Sequence, residues 1–262
     1  MSMNQDFSSV TEIAGHKVSK GQLKRVAQRY FWAGEFCRGK DVLEVACGAG
    51  QGLGYLLSLS KSLEAGDITP SLVKHASLYY GNRITISEMD AEELPFDPES
   101  LDVVILFEAL YYLPAAEKFI NECRRVLRLG GLILLATANR DLFDFNPSPF
   151  STRYYNPPEL QQLLIGYGFG TRFYGGEAVD LDNLQGKVIR WIKNIAVTLK
   201  LIPGSMKGKQ WLKRLVFGKL VPMPQEIEEG SLDYQAPIPI EGHCPDLIHQ
   251  VLYCKATKKV KI

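Results

Sequence analysis

The 262-residue chain carries 30 Lys and Arg against 29 Asp and Glu, a formal net charge of +1, and 46% hydrophobic residues. That balance is ordinary for a globular domain and offers nucleic acid no basic surface to follow. No apolar run approaches the roughly 20 residues needed to cross a bilayer, and the first residues lack the regions of a secretion signal. The five cysteines contain no Cys-x-x-Cys pair. A disulfide framework and a metal site are therefore not expected, and a cytoplasmic setting is.

Residues 1–18 read as a polar, loosely held arm, and 19–37 as a helix capped by Ser19, with Leu23, Val26, Ala27, Tyr30 and Phe31 on one face. The run Arg29-Tyr30-Phe31-Trp32 either folds over a ligand as an aromatic lid or docks the helix on the core. Residues 42–46 form a short apolar strand that breaks at Gly48-Ala49-Gly50 and resumes as a helical pattern at Leu53, Leu56 and Leu57. Strand, glycine turn and helix open a nucleotide-type site, because a ligand can lie on glycine backbone and on the unpaired N–H groups of a helix start. The glycines at 48, 50, 52 and 54 fit no Gly-x-Gly-x-x-Gly frame, and no Lys-Ser/Thr follows them. The dinucleotide and phosphate-loop readings both fail.

A second strand, 62–68, precedes a helix opened by Thr69-Pro70. Asp67 stands at that strand's carboxyl end, 19 residues after Gly48, where an acid receives two ribose hydroxyls. A solvated capping Asp is the alternative. A third strand, 84–89, leads into Asp90-Ala91-Glu92, and 100–107 is continuous and apolar like a central parallel strand. Then come a helix over 117–127 closed by Gly130-Gly131, a strand over 132–137, an aromatic loop over 139–158 and a helix over 159–165. Strands 169–174 and 249–257 complete the pattern, roughly 70 residues apart.

Glu44 inside the first strand, followed by Ala46-Cys47-Gly48-Ala49-Gly50, resembles the first motif of class I S-adenosylmethionine-dependent methyltransferases of the small-molecule, type 11-like kind. Ala46 replaces the motif's first glycine and shrinks the space near the cofactor's methionine end. Asp90-Ala91 ahead of Asp102-Val103-Val104, and Arg124-Arg125 ahead of Gly130-Gly131, carry the same resemblance. It implies an α/β fold with a seven-stranded, mostly parallel doubly wound sheet, the last strand antiparallel, and a helical insertion between strands six and seven. The chain then divides into an arm and lid helix (1–40), a cofactor-binding core (41–179), a helical substrate cap (180–247) and a last strand with its tail (248–262). The implied cofactor is S-adenosyl-L-methionine, leaving as S-adenosyl-L-homocysteine. By the resemblance it would touch Tyr30, Glu44, Ala46, Cys47, Gly48, Gly50, Asp67, Ile68, Asp90, Ala91, Glu92, Phe107 and Glu108. Tyr30 would reach the methionine part and Asp90 and Ala91 the adenine.

Methyl transfer from a sulfonium needs mainly a well-held nucleophile, and an oxygen nucleophile of high pKa also needs a base. Candidates are Glu108, Tyr111 and His243, with Tyr112 beside them; His16, His75 and His249 qualify on chemistry alone. From 187 to 219 there are nine Lys or Arg and no acid, and apolar residues recur at helical spacing around a Pro203-Gly204 break. Two basic amphipathic helices follow: a lid for an anionic substrate, a peripheral membrane contact, or a cap with solvated lysines. The expected activity is methylation of O or N in a small natural-product, sugar or quinone-like acceptor. A lipid-linked or membrane-resident acceptor, and a non-catalytic cofactor-binding protein, are the alternatives. Oligomeric state is open.

Overall fold

The computed structural model describes residues 6–179 and 220–260. Eight strands form its central sheet: β2 (Asp41–Val45), β3 (Ser62–Asp67), β4 (Thr85–Glu88), β5 (Leu101–Phe107), β6 (Leu127–Ala138), β7 (Phe169–Ala178), β9 (Ile238–Ile240) and β10 (His249–Lys258). Their order is β4-β3-β2-β5-β6-β10-β7-β9. The first five are parallel; β10 runs antiparallel between β6 and β7, and β9 adds an antiparallel edge to β7. Seven strands match the expected sheet. The eighth, β9, is centred on Pro239, which an edge strand accommodates and a sequence pattern does not announce.

Helices cover both faces. On one, α1 (Lys20–Cys37), α2 (Leu53–Leu59) and the end of α3 (Pro70–Tyr80) pack Trp32, Tyr30, Leu53, Leu56 and Tyr80 against Val42, Val103 and Ile105. On the other, α4 (Ala116–Val126) and α5 (Pro157–Gly166) pack Phe119, Ile120, Leu160 and Leu164 against Leu43, Val104 and Ile133. Alternate residues of β2 and β5 feed opposite layers, so both strands are apolar apart from Asp41, Glu44 and Asp102. Trp32 is 2% exposed, with its ring 5.0 Å from that of Tyr253. The Ser19 cap forms a full box with Gln22, each side chain bonded to the other's backbone N–H at 3.1 Å.

Two expectations change. From residue 6 on, the amino-terminal arm is not loose: Gly15 N–H donates to the Met223 carbonyl, Met223 N–H to the His16 carbonyl, and β1 (Lys17–Ser19) pairs antiparallel with β8 (Leu220–Pro222). Its partner lies some 200 residues away in sequence, so no local pattern reveals the pairing. The fifth expected strand starts earlier, because Leu127 already pairs with Leu101 before a register shift at Val103. The basic segment 187–219 lies outside the described residues, and the described remainder of the expected helical cap, 220–247, holds β8, β9 and loops. Among the described residues no helix is long and apolar enough to cross a membrane, and no group of three or more His, Cys, Asp or Glu is set to hold a metal ion.

Candidate functional site

A cavity of about 870 Å³ opens over the carboxyl ends of β2, β3 and β5. That is the crevice where open α/β sheets bind ligands, and the volume lies in the range for small-molecule sites, roughly 300–1,000 Å³. After β2 the chain turns through Ala46 at φ 54° and Gly48 at φ 58°. Both are left-handed, which glycine adopts freely and alanine at some cost, so Ala46 is a strained point at the cavity wall. The turn aims the Gly48 N–H at Asp67 Oδ2, 2.9 Å away, while Thr69 N–H donates to Oδ1 at 2.8 Å. Burial raises the Asp67 pKa, and these two N–H groups oppose the rise. A carboxylate offers about four acceptor positions, so Asp67 keeps capacity for a ligand's hydroxyls.

Glu44 is 1% exposed, and desolvation pushes its pKa up to about 8 although the Tyr30 hydroxyl donates to Oε1 at 2.7 Å. Its Oε2 is buried without a hydrogen-bond partner, and so is Arg29 Nε. Both residues line the cavity. An unsatisfied buried polar atom costs about 1–3 kcal/mol. A carboxyl and a guanidinium in one cavity wall, each with a buried atom that no protein group satisfies, are complementary to a ligand bearing both an ammonium and a carboxylate. Six carboxylates (Glu12, Glu44, Asp67, Asp90, Glu92, Glu108) line the cavity against three cations (Arg25, Arg29, Lys118). That excess suits a positively charged ligand.

The cavity brings together Tyr30, Glu44, Ala46, Cys47, Gly48, Asp67, Ile68, Asp90, Ala91, Glu92, Phe107, Glu108 and Tyr111. Gly50 is not among them. Its carbonyl accepts the Tyr80 hydroxyl at 2.7 Å and it shapes the turn from behind. Asp90 is exposed at the rim, its Oδ1 taking the Glu92 N–H at 2.8 Å; Glu92 Oε1 in turn takes the Ala115 N–H at 2.6 Å, just ahead of α4. Glu108, at φ 51°, accepts from the Tyr111 hydroxyl at 3.0 Å and the Ala138 N–H at 3.2 Å, and pairs with Arg29 at 3.4 Å. Burial, then the Glu108 charge, raises the Tyr111 pKa. His243 is placed elsewhere: its side chain is 74% exposed in the loop after β9, paired with Glu241 at 3.4 Å and outside the cavity wall. The glycine beside it says nothing of where that loop travels.

Several wall residues escaped the sequence reading. Phe7, Val10, Thr11 and Glu12 come from the arm, Met223 from the limb after β8, and Gln250 and Val251 from β10. Gln51 stood inside the glycine run and is 7% exposed; its Nε2 donates to the Glu12 carbonyl at 2.6 Å. An uncharged polar side chain between glycines was the one local signal for it.

Sheet order and the crevice over the strands' carboxyl ends define a Rossmann-like domain. Residues 43–135 match the family described as Methyltransferase domain. A protein of Mycolicibacterium smegmatis named as a probable S-adenosylmethionine-dependent methyltransferase is 35% identical over 159 residues, 57% of this chain and 62% of its own. The chain thus spans less than two thirds of that relative. The phthiotriol/phenolphthiotriol dimycocerosates methyltransferase of Mycobacterium leprae is 41% identical over 101 residues, 37% of each chain. The YcgJ structure from Bacillus subtilis shares the fold with a TM-score of 0.57 at 17% identity, over 90% of this chain and all of its own.

Proposed function

We propose that the protein transfers the methyl group of S-adenosyl-L-methionine to an oxygen or nitrogen atom of a small-molecule acceptor. The observation that carries this reading is that Glu44, Arg29 and Asp67 line one cavity, Glu44 and Arg29 each with a buried polar atom that no protein group satisfies. The residues fit the cofactor. Glu44 suits its ammonium group, Arg29 its carboxylate, Asp67 its ribose hydroxyls, and Asp90 with Ala91 its base. When bound, it supplies an electrophilic methyl on a sulfonium that departs as a neutral thioether.

The chain's own contribution is position and protons. Glu108 and Tyr111 stand at the end of β5 in a wall shared with Tyr112, Ala138 and Gln250. Arg29 and Tyr111 orient the Glu108 carboxylate, leaving it able to receive a proton from an acceptor hydroxyl or amine at an Oε atom. The rings of Tyr111 and Tyr154 stack at 4.2 Å and fix that wall. Holding the nucleophile in line supplies most of the rate, up to about 7–11 kcal/mol for well-oriented reactants.

A second reading, a lipid-linked acceptor, draws support from the Mycobacterium leprae relative and from the nine Lys or Arg over 187–219. Calorimetric titration tests the first step. S-adenosyl-L-homocysteine should bind the intact chain and bind Asp67→Ala at least about tenfold more weakly, the loss of a charge-assisted hydrogen bond. Equal affinities would sink the assignment of Asp67.

A further inference from the structure

Two segments far apart in sequence close over the cavity, and one residue of the glycine turn holds both. The arm forms part of the cavity wall through Phe7, Val10, Thr11 and Glu12. Phe7 is held on two sides: its N–H reaches Thr69 Oγ1 at 3.4 Å, beside Asp67, and its ring lies 5.0 Å from that of Tyr112 and 6.3 Å from that of Phe150. Thr11 rests on the glycine turn, so that a Cβ on Gly48 would lie 3.0 Å from Thr11 Cγ2. The limb after β8 crosses behind it and brings Met223, 2% exposed, into the wall. Gln51 joins the three pieces. Its Nε2 donates to the Glu12 carbonyl at 2.6 Å, and its own carbonyl accepts the Ile227 N–H at 2.7 Å. The arm and limb are also tied to each other, through Gly15, His16 and Met223 and through the β1–β8 pair.

We propose that residues 7–16 and 223–227 form a cover, pinned to the cofactor turn by Gln51 and latched at Phe7, which must lift for cofactor and product to exchange. The latch and the wall it seals share one ring contact, Phe7 on Tyr112, so closing over the cofactor also completes the acceptor wall. Gln51 is a positioning residue here. Its side chain is spent on the Glu12 carbonyl, and its effect on a bound ligand passes through the arm.

This inference rests on the reading that the cavity holds S-adenosyl-L-methionine, and S-adenosyl-L-homocysteine serves as the probe. Its dissociation rate is measured by stopped flow on the full chain, with hydrogen exchange of residues 8–16 followed in parallel. Gln51→Met keeps the shape and removes the donor, and Phe7→Ala removes the latch. Each should release the probe about tenfold faster, equivalent to about 1.4 kcal/mol, with association no slower and little change in melting temperature. Phe7→Tyr, which keeps the ring, should restore slow release. In the wild-type chain the probe should slow exchange across 8–16. Tight binding with release rates and exchange indifferent to these substitutions overturns the cover while leaving the cofactor reading in place. No binding of the probe to the wild-type chain overturns both. If Gln51→Met does not fold, the Phe7 pair decides alone.

Discussion

Glu44→Gln isolates the charge on which ligand recognition turns. In the folded chain burial lifts the Glu44 carboxyl from its ordinary 4.5 to about 8, with Tyr30 bonded to one oxygen and the other buried without a hydrogen-bond partner. Below about pH 4.5 the group is protonated folded and unfolded, and it costs nothing. As pH rises toward 8 the unfolded chain loses the proton and the folded chain keeps it. The folded state therefore loses stability over that window, by at most about 5 kcal/mol at its upper end. At pH 7 a site titrating near 8 is about nine-tenths protonated. An ammonium brought against Oε2 favours the carboxylate, so binding should expel roughly 0.9 of a proton. Calorimetry of S-adenosyl-L-homocysteine binding in phosphate and in Tris reads that number directly, from the dependence of the observed heat on buffer ionisation enthalpy. In Glu44→Gln the dependence should vanish, and affinity should fall roughly ten- to a hundredfold, the worth of a hydrogen bond to a charged group. The variant's stability should also stop declining between pH 5 and pH 8. A wild-type chain that binds without releasing a proton, or a variant that releases as many, would refute the assignment of Glu44 to the ammonium.

Two further outcomes test the wall and the surface. A Cβ at residue 52 would overlap the Tyr30 ring, so Gly52→Ala should lower stability in urea by about 1–3 kcal/mol, as overpacking does. It should also weaken probe binding, because the displaced ring can no longer donate to Glu44; an unchanged unfolding midpoint would contradict the packing. If the basic stretch 187–219 meets a membrane, the chain should co-sediment with vesicles containing anionic lipid, less so at high salt, and reversing several of its lysines should abolish this. Absence of vesicle binding in the wild-type chain ends that reading.

What could be read from sequence was whatever the local backbone demands. A central strand flanked by helices on both faces must be largely apolar, so 42–45 and 101–107 stood out, with Glu44 and Asp102 as the exceptions. A ligand lying on backbone requires residues tolerant of positive φ, so 46–50 stood out as well. The acid at 67 was legible because the length of a β-α-β unit is nearly constant. The cavity's enclosure obeys another rule. Phe7 meets Tyr112, Glu12 meets Gln51, and Met223 meets Gly15; each contact joins segments whose spacing carries no period, so neither partner marks the other. His243 failed for the same reason in reverse. A histidine near glycine is chemically apt, but the path of its loop is set by β9 and β10, and that path leaves the ring in solvent. Local demands thus reveal the half of the site that grips a shared cofactor, whose shape every such turn must meet. The rest of the cavity wall comes from Phe7, Val10, Thr11, Glu12, Tyr111, Tyr112, Met223, Gln250 and Val251. It is assembled by contacts between distant segments, which no local pattern announces.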